Sequence, residues 1–180
     1  MELRENILLI AGTGQNVGKT LFACKLIDQL KDEHSIVSIK ICPHFHELKS
    51  EAMILKKNEN YTITKETTTE HNKDSNRMLK AGSNAVYFVQ TKDEYLSEVL
   101  SFFDKFINIT TPVIIESGGL RELLTPGLFL MIKNKNSNQT KPKTEKYLHL
   151  ADRKIEFNGD TFNFDPARVK FANNKWGIKN

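Results

Sequence analysis

Residues 6–31 constrain the fold of this chain more than any other stretch. A short apolar run, 6–11, is followed by a segment with three glycines and then by 19–31, where apolar residues recur every three or four positions. A continuous apolar run that ends at glycine is typical of a buried parallel strand, and the recurring spacing is typical of an amphipathic helix. The sequence therefore predicts a strand, a tight turn and a helix in direct succession.

The turn has the composition of a phosphate-binding loop, formed by Gly12, Thr13, Gly14, Gln15, Asn16, Val17, Gly18, Lys19 and Thr20. Glycine lets backbone N–H groups converge on phosphate oxygens, and the helix N-terminus adds partial positive charge. Lys19 supplies a point charge for the β- and γ-phosphates, and the Thr20 hydroxyl is placed to hold Mg²⁺. We predict that these residues bind a nucleoside triphosphate, ATP or GTP, with Mg²⁺, and that Lys19 is catalytic.

Strand and helix patterns alternate along the rest of the chain. They predict strands at 35–41, 85–89, 113–115 and 128–132 and helices at 74–81 and 93–107. Strands separated by helices imply an α/β fold with a mostly parallel sheet covered on both faces. Alternation on either side of Asn158-Gly159 predicts a C-terminal β-hairpin within 154–164. We interpret 47–72 as a partly ordered excursion beside the second strand.

The length predicts one domain, 1–180, with a nucleotide-binding core at 1–132, a polar basic loop at 133–146 and a hairpin extension at 147–180. The net charge is +4, but residues 133–180 hold eleven basic and five acidic residues, so the first 132 carry a net −2. A slightly acidic core does not favour nucleic-acid binding. With no apolar run near 20 residues, no signal-like segment and two cysteines, we expect a cytoplasmic protein.

Several segments resemble known nucleotide-binding families. The loop with Val17-Gly18-Lys19-Thr20 resembles that of dethiobiotin synthetase and its relatives, although five residues separate its first glycine from Gly18 where the standard pattern has four. The stretch 7–120 resembles MobB, the nucleotide-binding adaptor of molybdopterin-guanine dinucleotide biosynthesis. The segments that carry this resemblance are Ile39-Lys40-Ile41 before His44-Phe45-His46, Lys73-Asp74-Ser75 before Ala81-Gly82, and Val113-Ile114-Ile115-Glu116.

The MobB resemblance implies a three-layer P-loop NTPase that binds GTP, hydrolyses it weakly and forms a homodimer. It also implies a protein partner in cofactor biosynthesis. Two alternatives stay open. Glu116-Ser117-Gly118-Gly119 is closer to dethiobiotin synthetase and favours an ATP-dependent ligase that phosphorylates a carboxylate or carbamate. A third hypothesis is a nucleotide-gated binding module whose partner docks on the basic tail.

Two acidic residues are candidate Mg²⁺ ligands. Glu116 ends an apolar strand expected beside the phosphate-binding loop, where a carboxylate can hold the metal directly or through water. We predict a metal-binding and catalytic role for it, with a solvated strand-end acid as the alternative. Asp74 is the second candidate through the MobB resemblance, although an N-capping aspartate would have the same sequence position.

Several further residues are candidates for binding a nucleotide, a substrate or a metal. Lys40 ends the second strand and, with His44 and His46, is a candidate for substrate binding; an ordinary exposed lysine is the alternative. Cys42 with the two histidines also allows transition-metal binding. Asn134 is a candidate nucleotide contact because Asn134-Lys135-Asn136-Ser137 partly matches a guanine-recognition sequence, with Ser137 in place of its aspartate. Arg77 and Arg121 are candidates for an anionic ligand or for surface ion pairs.

Overall fold

A computed structural model describes residues 1–48, 52–136 and 142–179 of the chain. Within them the strands are β1 (Glu2–Gly12), β2 (Val37–Cys42), β3 (Met53–Lys57), β4 (Tyr61–Lys65), β5 (Ala85–Thr91), β6 (Val113–Glu116), β7 (Leu124–Asn134), β8 (Arg153–Phe157), β9 (Val169–Ala172) and β10 (Lys175–Ile178). The helices are α1 (Lys19–Leu30), α2 (Asp74–Lys80), α3 (Leu96–Phe103) and α4 (Pro142–Glu145), with four short 3₁₀ turns. None of these helices combines the length and apolar content needed to cross a bilayer.

The main sheet has eight strands in the order β3-β4-β5-β2-β6-β1-β7-β8. The six strands from β5 to β8 pair in parallel, whereas β3 and β4 are antiparallel at one edge. The predicted α/β class and mostly parallel sheet are therefore confirmed. Glu116 of β6 is in register with Ile10 of β1 and Lys40 of β2. This register brings the loop after β1, Lys40 and Glu116 to one edge of the sheet, where parallel sheets bind ligands.

Apolar side chains form one core cluster on each face of the sheet. Helices α1 and α2 cover one face through residues such as Leu26 and Met78. Helix α3 covers the other face through Val99 and Phe103. The predicted coverage of both faces is confirmed, because each helix turns its apolar stripe toward the sheet. Helix α3 is shorter than the predicted 93–107, since Asp93–Tyr95 forms a separate 3₁₀ turn.

The segment interpreted as a partly ordered excursion extends the sheet. Strand β4 pairs antiparallel with β5, and Tyr61 and Ile63 bury their side chains on the α3 face. The Asn58 side chain closes the turn before β4 by accepting backbone N–H bonds from Asn60 and Tyr61 at 2.9 and 2.8 Å. The excursion is therefore ordered at β3 and β4, and its predicted place beside the second strand is wrong, because β4 pairs with β5. Residues 49–51 lie outside the described ranges.

A C-terminal hairpin is present, but the sequence misplaces it. The residues before Asn158-Gly159 form β8, which pairs in parallel with β7, and the arm after the turn forms an isolated bridge from Phe162 to Phe157 instead of a strand. The hairpin is β9–β10, which turns at Asn173 and Asn174 with φ values of 52° and 60°. The Asn158 side chain stabilises its own turn by accepting from Thr161 N at 2.8 Å. The predicted turn at Asn158-Gly159 is present. The strand before it, β8, pairs with the edge of β7 and not with the residues after the turn.

The basic C-terminal segment supplies aromatic residues to the core. Trp176 is 0% exposed, and its indole N–H donates to the carbonyl oxygen of Asn6 in β1 at 2.9 Å. Its ring lies 5.2 Å from that of Phe171 in β9. Charged neighbours such as Lys170 alternate outward with these buried residues. Removing residues 133–180 would therefore open the core.

We expect Trp176→Ala to lower the free energy of unfolding by about 3–5 kcal/mol, the usual cost of emptying a buried aromatic site. Trp176→Phe is the matched control, because it keeps most of the packing and loses only the indole hydrogen bond, worth about 1 kcal/mol. Urea unfolding monitored by circular dichroism measures both. An unchanged midpoint for Trp176→Ala would show that the hairpin is not part of the cooperative core.

Candidate nucleotide-binding site

The glycine-rich loop folds tightly between β1 and α1. Gly18 adopts a left-handed conformation, with φ of 90°, immediately before the first residue of α1. Gly12 has no room for a side chain, since a Cβ there would lie 2.7 Å from Cγ2 of Val17 and 2.8 Å from Cδ of Lys19. The amide of Thr13 donates to the carbonyl oxygen of Ile132 in β7 at 3.0 Å. The loop is therefore anchored on both β1 and β7.

Lys19 turns its side chain back across this loop. Its ammonium group donates to the carbonyl oxygen of Gly14 at 2.8 Å and lies 3.9 Å from Oε1 of Glu116. The charge is thus held over the loop, between a backbone carbonyl and a carboxylate. A cation in this position can reach an anion that binds to the loop amides.

Glu116 is the centre of the site. Its side chain is buried, with 2% of the residue exposed, and Oε2 accepts a hydrogen bond from the Thr20 hydroxyl at 2.7 Å. The ammonium group of Lys40 bonds to the other oxygen, Oε1. A buried carboxylate is strongly unfavourable unless it is paired and hydrogen-bonded. The alternative of a solvated strand-end acid is therefore wrong.

Lys40 links Glu116 to helix α2. Its ammonium group also lies 3.0 Å from Oδ2 of Asp74, whose Oδ1 is 3.5 Å from Arg77. Only 15% of the Lys40 side chain is exposed, so the exposed-lysine alternative is wrong. Lys73 occupies the N-cap position of α2, and the Asp74 carboxylate bonds to Lys40, so N-capping does not account for Asp74.

Lys40 and Asp74 each stabilise the ionised form of the other. Burial alone would raise the pKa of Asp74, but the charge and hydrogen bond of Lys40 outweigh it and lower this pKa. Burial likewise opposes the charge on Lys40, but Glu116 and Asp74 raise its pKa. The Asp74 contribution to stability is therefore lost as pH falls through its lowered folded pKa, and that of Lys40 is lost as pH rises through its raised folded pKa.

Cys42, the last residue of β2, and the two histidines that follow it do not converge on one point. Cys42 Sγ lies 3.8 Å from His46 Nε2, whereas the rings of His44 and His46 are 6.5 Å apart. The His46 amide donates to the Gln90 side chain at 2.5 Å, which ties this segment to β5. No group of three His, Cys, Asp or Glu side chains suited to a metal occurs in the described residues. The transition-metal interpretation of this trio is therefore not supported.

Two other predicted residues lie apart from the central network. Asn134 ends β7 on the loop side of the sheet, where its side-chain oxygen accepts from the Asn136 amide at 2.8 Å. Arg121 is buried near the opposite sheet edge, where it donates to the Leu124 carbonyl oxygen at 3.0 Å. It is therefore neither an anion ligand of this site nor a surface ion pair. Ser137 lies outside the described residues.

Two aromatic residues that no sequence pattern indicates support the loop. A Cβ on Gly18 would lie 2.9 Å from the Phe157 ring and 3.0 Å from Cε1 of Phe162. The two rings lie 4.8 Å apart, and Phe162 meets Phe22 of α1 edge to face at 5.0 Å. No local pattern signals this contact, because about 140 residues separate the partners. The C-terminal segment thus forms one wall of the glycine-rich loop.

With this geometry established, comparison with known proteins supports the fold class. A solved structure of LpxK from Aquifex aeolicus in complex with ATP superimposes with a TM-score of 0.53 over 92% of this chain, at 19% sequence identity. The chain spans about half of that structure, 52% of its length. No protein-family profile and no curated protein sequence matches the chain. The likeness supports a P-loop NTPase fold, as the loop motif predicts, and does not distinguish MobB from other families with this fold.

We expect Gly18→Ala to destabilise the protein by about 1–3 kcal/mol, because alanine is strained at this φ and its methyl group meets Phe157 and Phe162. Gly14→Ala is the matched control in the same loop, since its Cβ would meet only Val17 at an ordinary 3.7 Å. Urea unfolding measures both. In a Phe162→Ala background the cost of Gly18→Ala should fall by about 1 kcal/mol. Equal costs in the two backgrounds would contradict the aromatic wall.

Proposed function

We propose that this chain binds a nucleoside triphosphate with Mg²⁺ at residues 12–20 and uses it for hydrolysis or phosphoryl transfer. The observation that carries the proposal is the convergence of three predicted residues at the end of the loop. The Thr20 hydroxyl lies 2.7 Å from the buried carboxylate of Glu116, and Lys19 lies 3.9 Å from the same group. P-loop proteins bind triphosphates with these groups: a lysine that contacts the phosphates, and a hydroxyl and a carboxylate that hold Mg²⁺.

In this proposal the phosphates lie against the loop amides and the first turn of α1, and Lys19 exchanges its bond to Gly14 for phosphate oxygens. Lys19 is then the principal cation for the transferred phosphoryl group. The complex of LpxK with ATP supports a nucleotide in a chain of this fold. Catalysis would come from positioning and charge neutralisation, which dominate phosphoryl transfer.

The residues beside Lys19 fit Mg²⁺, which prefers oxygen ligands. Thr20 and Oε2 of Glu116 would hold the metal, directly or through water, while Oε1 keeps its bond to Lys40. Asp74 is the second candidate ligand, since Lys40 holds it beside Glu116 and 44% of its side chain is exposed. When bound, Mg²⁺ would neutralise charge on the phosphates. Lys40 would fix the orientation of both carboxylates.

A finer proposal follows from the MobB resemblance. Its three segments are separate in sequence, yet Lys40, Asp74 and Glu116 meet in one ion-pair network. This convergence supports a MobB-like site. By that resemblance we propose a GTP-binding adaptor in the cytoplasm, acting as a homodimer with a partner from molybdopterin-guanine dinucleotide biosynthesis. Asn134, His44 and His46 remain proposed contacts for nucleotide or substrate.

One observation favours the ligase alternative. Ser117 turns the chain after β6, and its hydroxyl accepts backbone N–H bonds from Gly119 and Leu120, both at 3.3 Å. This turn directly follows Glu116 and corresponds to the segment that resembles dethiobiotin synthetase. Such an enzyme would use ATP to phosphorylate a carboxylate or carbamate.

We expect Lys19→Ala to abolish binding of the Mg²⁺–triphosphate complex, because the loop loses its central cation. Isothermal titration with non-hydrolysable ATP and GTP analogues gives the affinity. Lys25→Ala is the matched control, since Lys25 is an exposed lysine on the same helix. An affinity for Lys19→Ala equal to that of Lys25→Ala would contradict the proposed function.

The two finer proposals predict different substrates. A MobB-like adaptor should be stabilised in a thermal-shift assay by GTP more than by ATP, and it should co-purify with a molybdenum-cofactor protein. A ligase should prefer ATP and hydrolyse it faster when a biotin precursor is added. Preference for ATP together with stimulation by the precursor would contradict the MobB assignment.

A further inference from the structure

Arg77 of α2 is a cation beside the candidate site to which the proposed function gives no role. Its Nη1 lies 3.5 Å from Oδ1 of Asp74, one turn earlier in the same helix. Side chains of a helix lean toward its N-terminus, so the long Arg77 side chain extends along α2 toward the end at which Asp74 lies. Through Asp74 the guanidinium is linked to Lys40 and Glu116.

The contact between Arg77 and Asp74 is loose. Its length of 3.5 Å is at the limit for a hydrogen bond, whereas Lys40 lies 3.0 Å from the other oxygen of the same carboxylate. The side chains of Arg77 and Asp74 are 42% and 44% exposed, so water competes for both. Ion pairs between exposed side chains contribute little to stability. Arg77 can therefore exchange Asp74 for another anion at a small cost in free energy.

Lys40 cannot make the same exchange. Its ammonium group bonds to both Glu116 and Asp74, and only 15% of its side chain is exposed. If it moved to a phosphate, the buried Glu116 carboxylate would lose its partner, which is strongly unfavourable. Of the three cations in this network, Lys19, Lys40 and Arg77, Arg77 has the most exposed side chain. It is the one best placed to meet a ligand that arrives from solvent.

The proposed triphosphate would lie within reach of this guanidinium. Thr20, which is proposed to hold Mg²⁺, donates its hydroxyl hydrogen to Glu116 at 2.7 Å. Burial raises the pKa of Asp74, whereas Lys40 and a hydrogen bond from Thr20 lower it, so Thr20 also lies beside that carboxylate. In the proposed function these residues surround the metal that the β- and γ-phosphates share. Arg77, in contact with Asp74, is then a neighbour of the phosphates.

We propose that the Arg77 guanidinium exchanges Asp74 for the phosphoryl group as that group is transferred. This inference rests on the proposed function and adds a catalytic residue to it. In hydrolysis, an oxygen of water forms a bond to the γ-phosphorus and releases a proton to solvent. The bond from the γ-phosphorus to the β–γ bridging oxygen breaks, and that oxygen keeps the electron pair. Arg77 stabilises this transition state, because a guanidinium can donate two parallel hydrogen bonds to phosphate oxygens.

Arg77→Gln tests the assignment, with Lys80→Gln as the matched control at an exposed cation one turn further along α2. The full chain is assayed for kcat with ATP and GTP, and for its affinity for Mg²⁺, nucleoside diphosphate and aluminium fluoride, which together mimic the transition state. We expect Arg77→Gln to lower both values about 100-fold, a usual cost of losing one donor to the transition state. Its affinity for a non-hydrolysable triphosphate should change little, because the contact forms during transfer.

Three results would overturn the assignment. If both values for Arg77→Gln equal those for Lys80→Gln, Arg77 does not touch the phosphoryl group. If Arg77→Gln raises the Mg²⁺ concentration needed for the half-maximal rate and leaves kcat unchanged, Arg77 only orients Asp74. If the affinity for the non-hydrolysable triphosphate falls as far as the affinity for the aluminium fluoride complex, the contact is made to the bound triphosphate and does not favour transfer.

Guanidinium ion provides an independent readout. Added guanidinium chloride should partly restore kcat in Arg77→Ala, and an equal concentration of potassium chloride should not; no difference between the two salts would contradict the assignment. A parent protein that binds no triphosphate would refute the proposed function. A parent that binds triphosphate, with an unaltered kcat in Arg77→Gln, would refute only the role of Arg77. A parent that binds triphosphate but neither hydrolyses it nor binds the aluminium fluoride complex would also overturn that role.

Discussion

The buried carboxylate of Glu116 connects the parts of the site. Its two oxygens bind Thr20 at the start of α1 and Lys40 in β2, and Lys40 extends the connection to Asp74 of α2. Removal of one partner from a buried ion pair typically costs about 3–5 kcal/mol, because the remaining charge stays uncompensated. The carboxylate therefore fixes the positions of three elements that the chain reaches at widely separated points.

Local periodicity was enough to predict the elements that surround this carboxylate. The apolar run before Gly12, the helical spacing after Lys19 and the strand before Glu116 each follow from neighbouring residues. Parallel pairing then places their functional ends at one edge. The burial of Lys40 could not be predicted, because it depends on Asp74 and Glu116, which are distant in the sequence.

The errors also have physical causes. The residues Asn158-Gly159 identify a turn but do not identify the partner of the strand before it. That strand, β8, pairs with β7, which lies well before it in the sequence. The segment 47–72 shows the same limit, because β4 is ordered by its pairing with β5 and by the burial of Tyr61 and Ile63, and local composition reveals neither.

The basic tail acquires a defined structural role. Its lysines and arginines account for the positive net charge, while Phe157, Phe162 and Trp176 pack inward against the loop, α1 and β1. A segment outside the MobB resemblance thus shapes the loop at the centre of that resemblance. The loop of the candidate site is therefore shaped by the N-terminal and the C-terminal parts of the chain together.

The proposed metal position at Thr20 and Glu116 can be located by NMR. Mn²⁺ replaces Mg²⁺ and broadens the NMR signals of nearby nuclei, so a titration with Mn²⁺ and a non-hydrolysable triphosphate locates the ion. We predict the strongest broadening at the backbone amides of residues 18–21 and 116–117, only when nucleotide is present. Nucleotide-dependent broadening centred elsewhere, for example at His44 and His46, or none at saturating nucleotide, would contradict a metal site at Thr20 and Glu116.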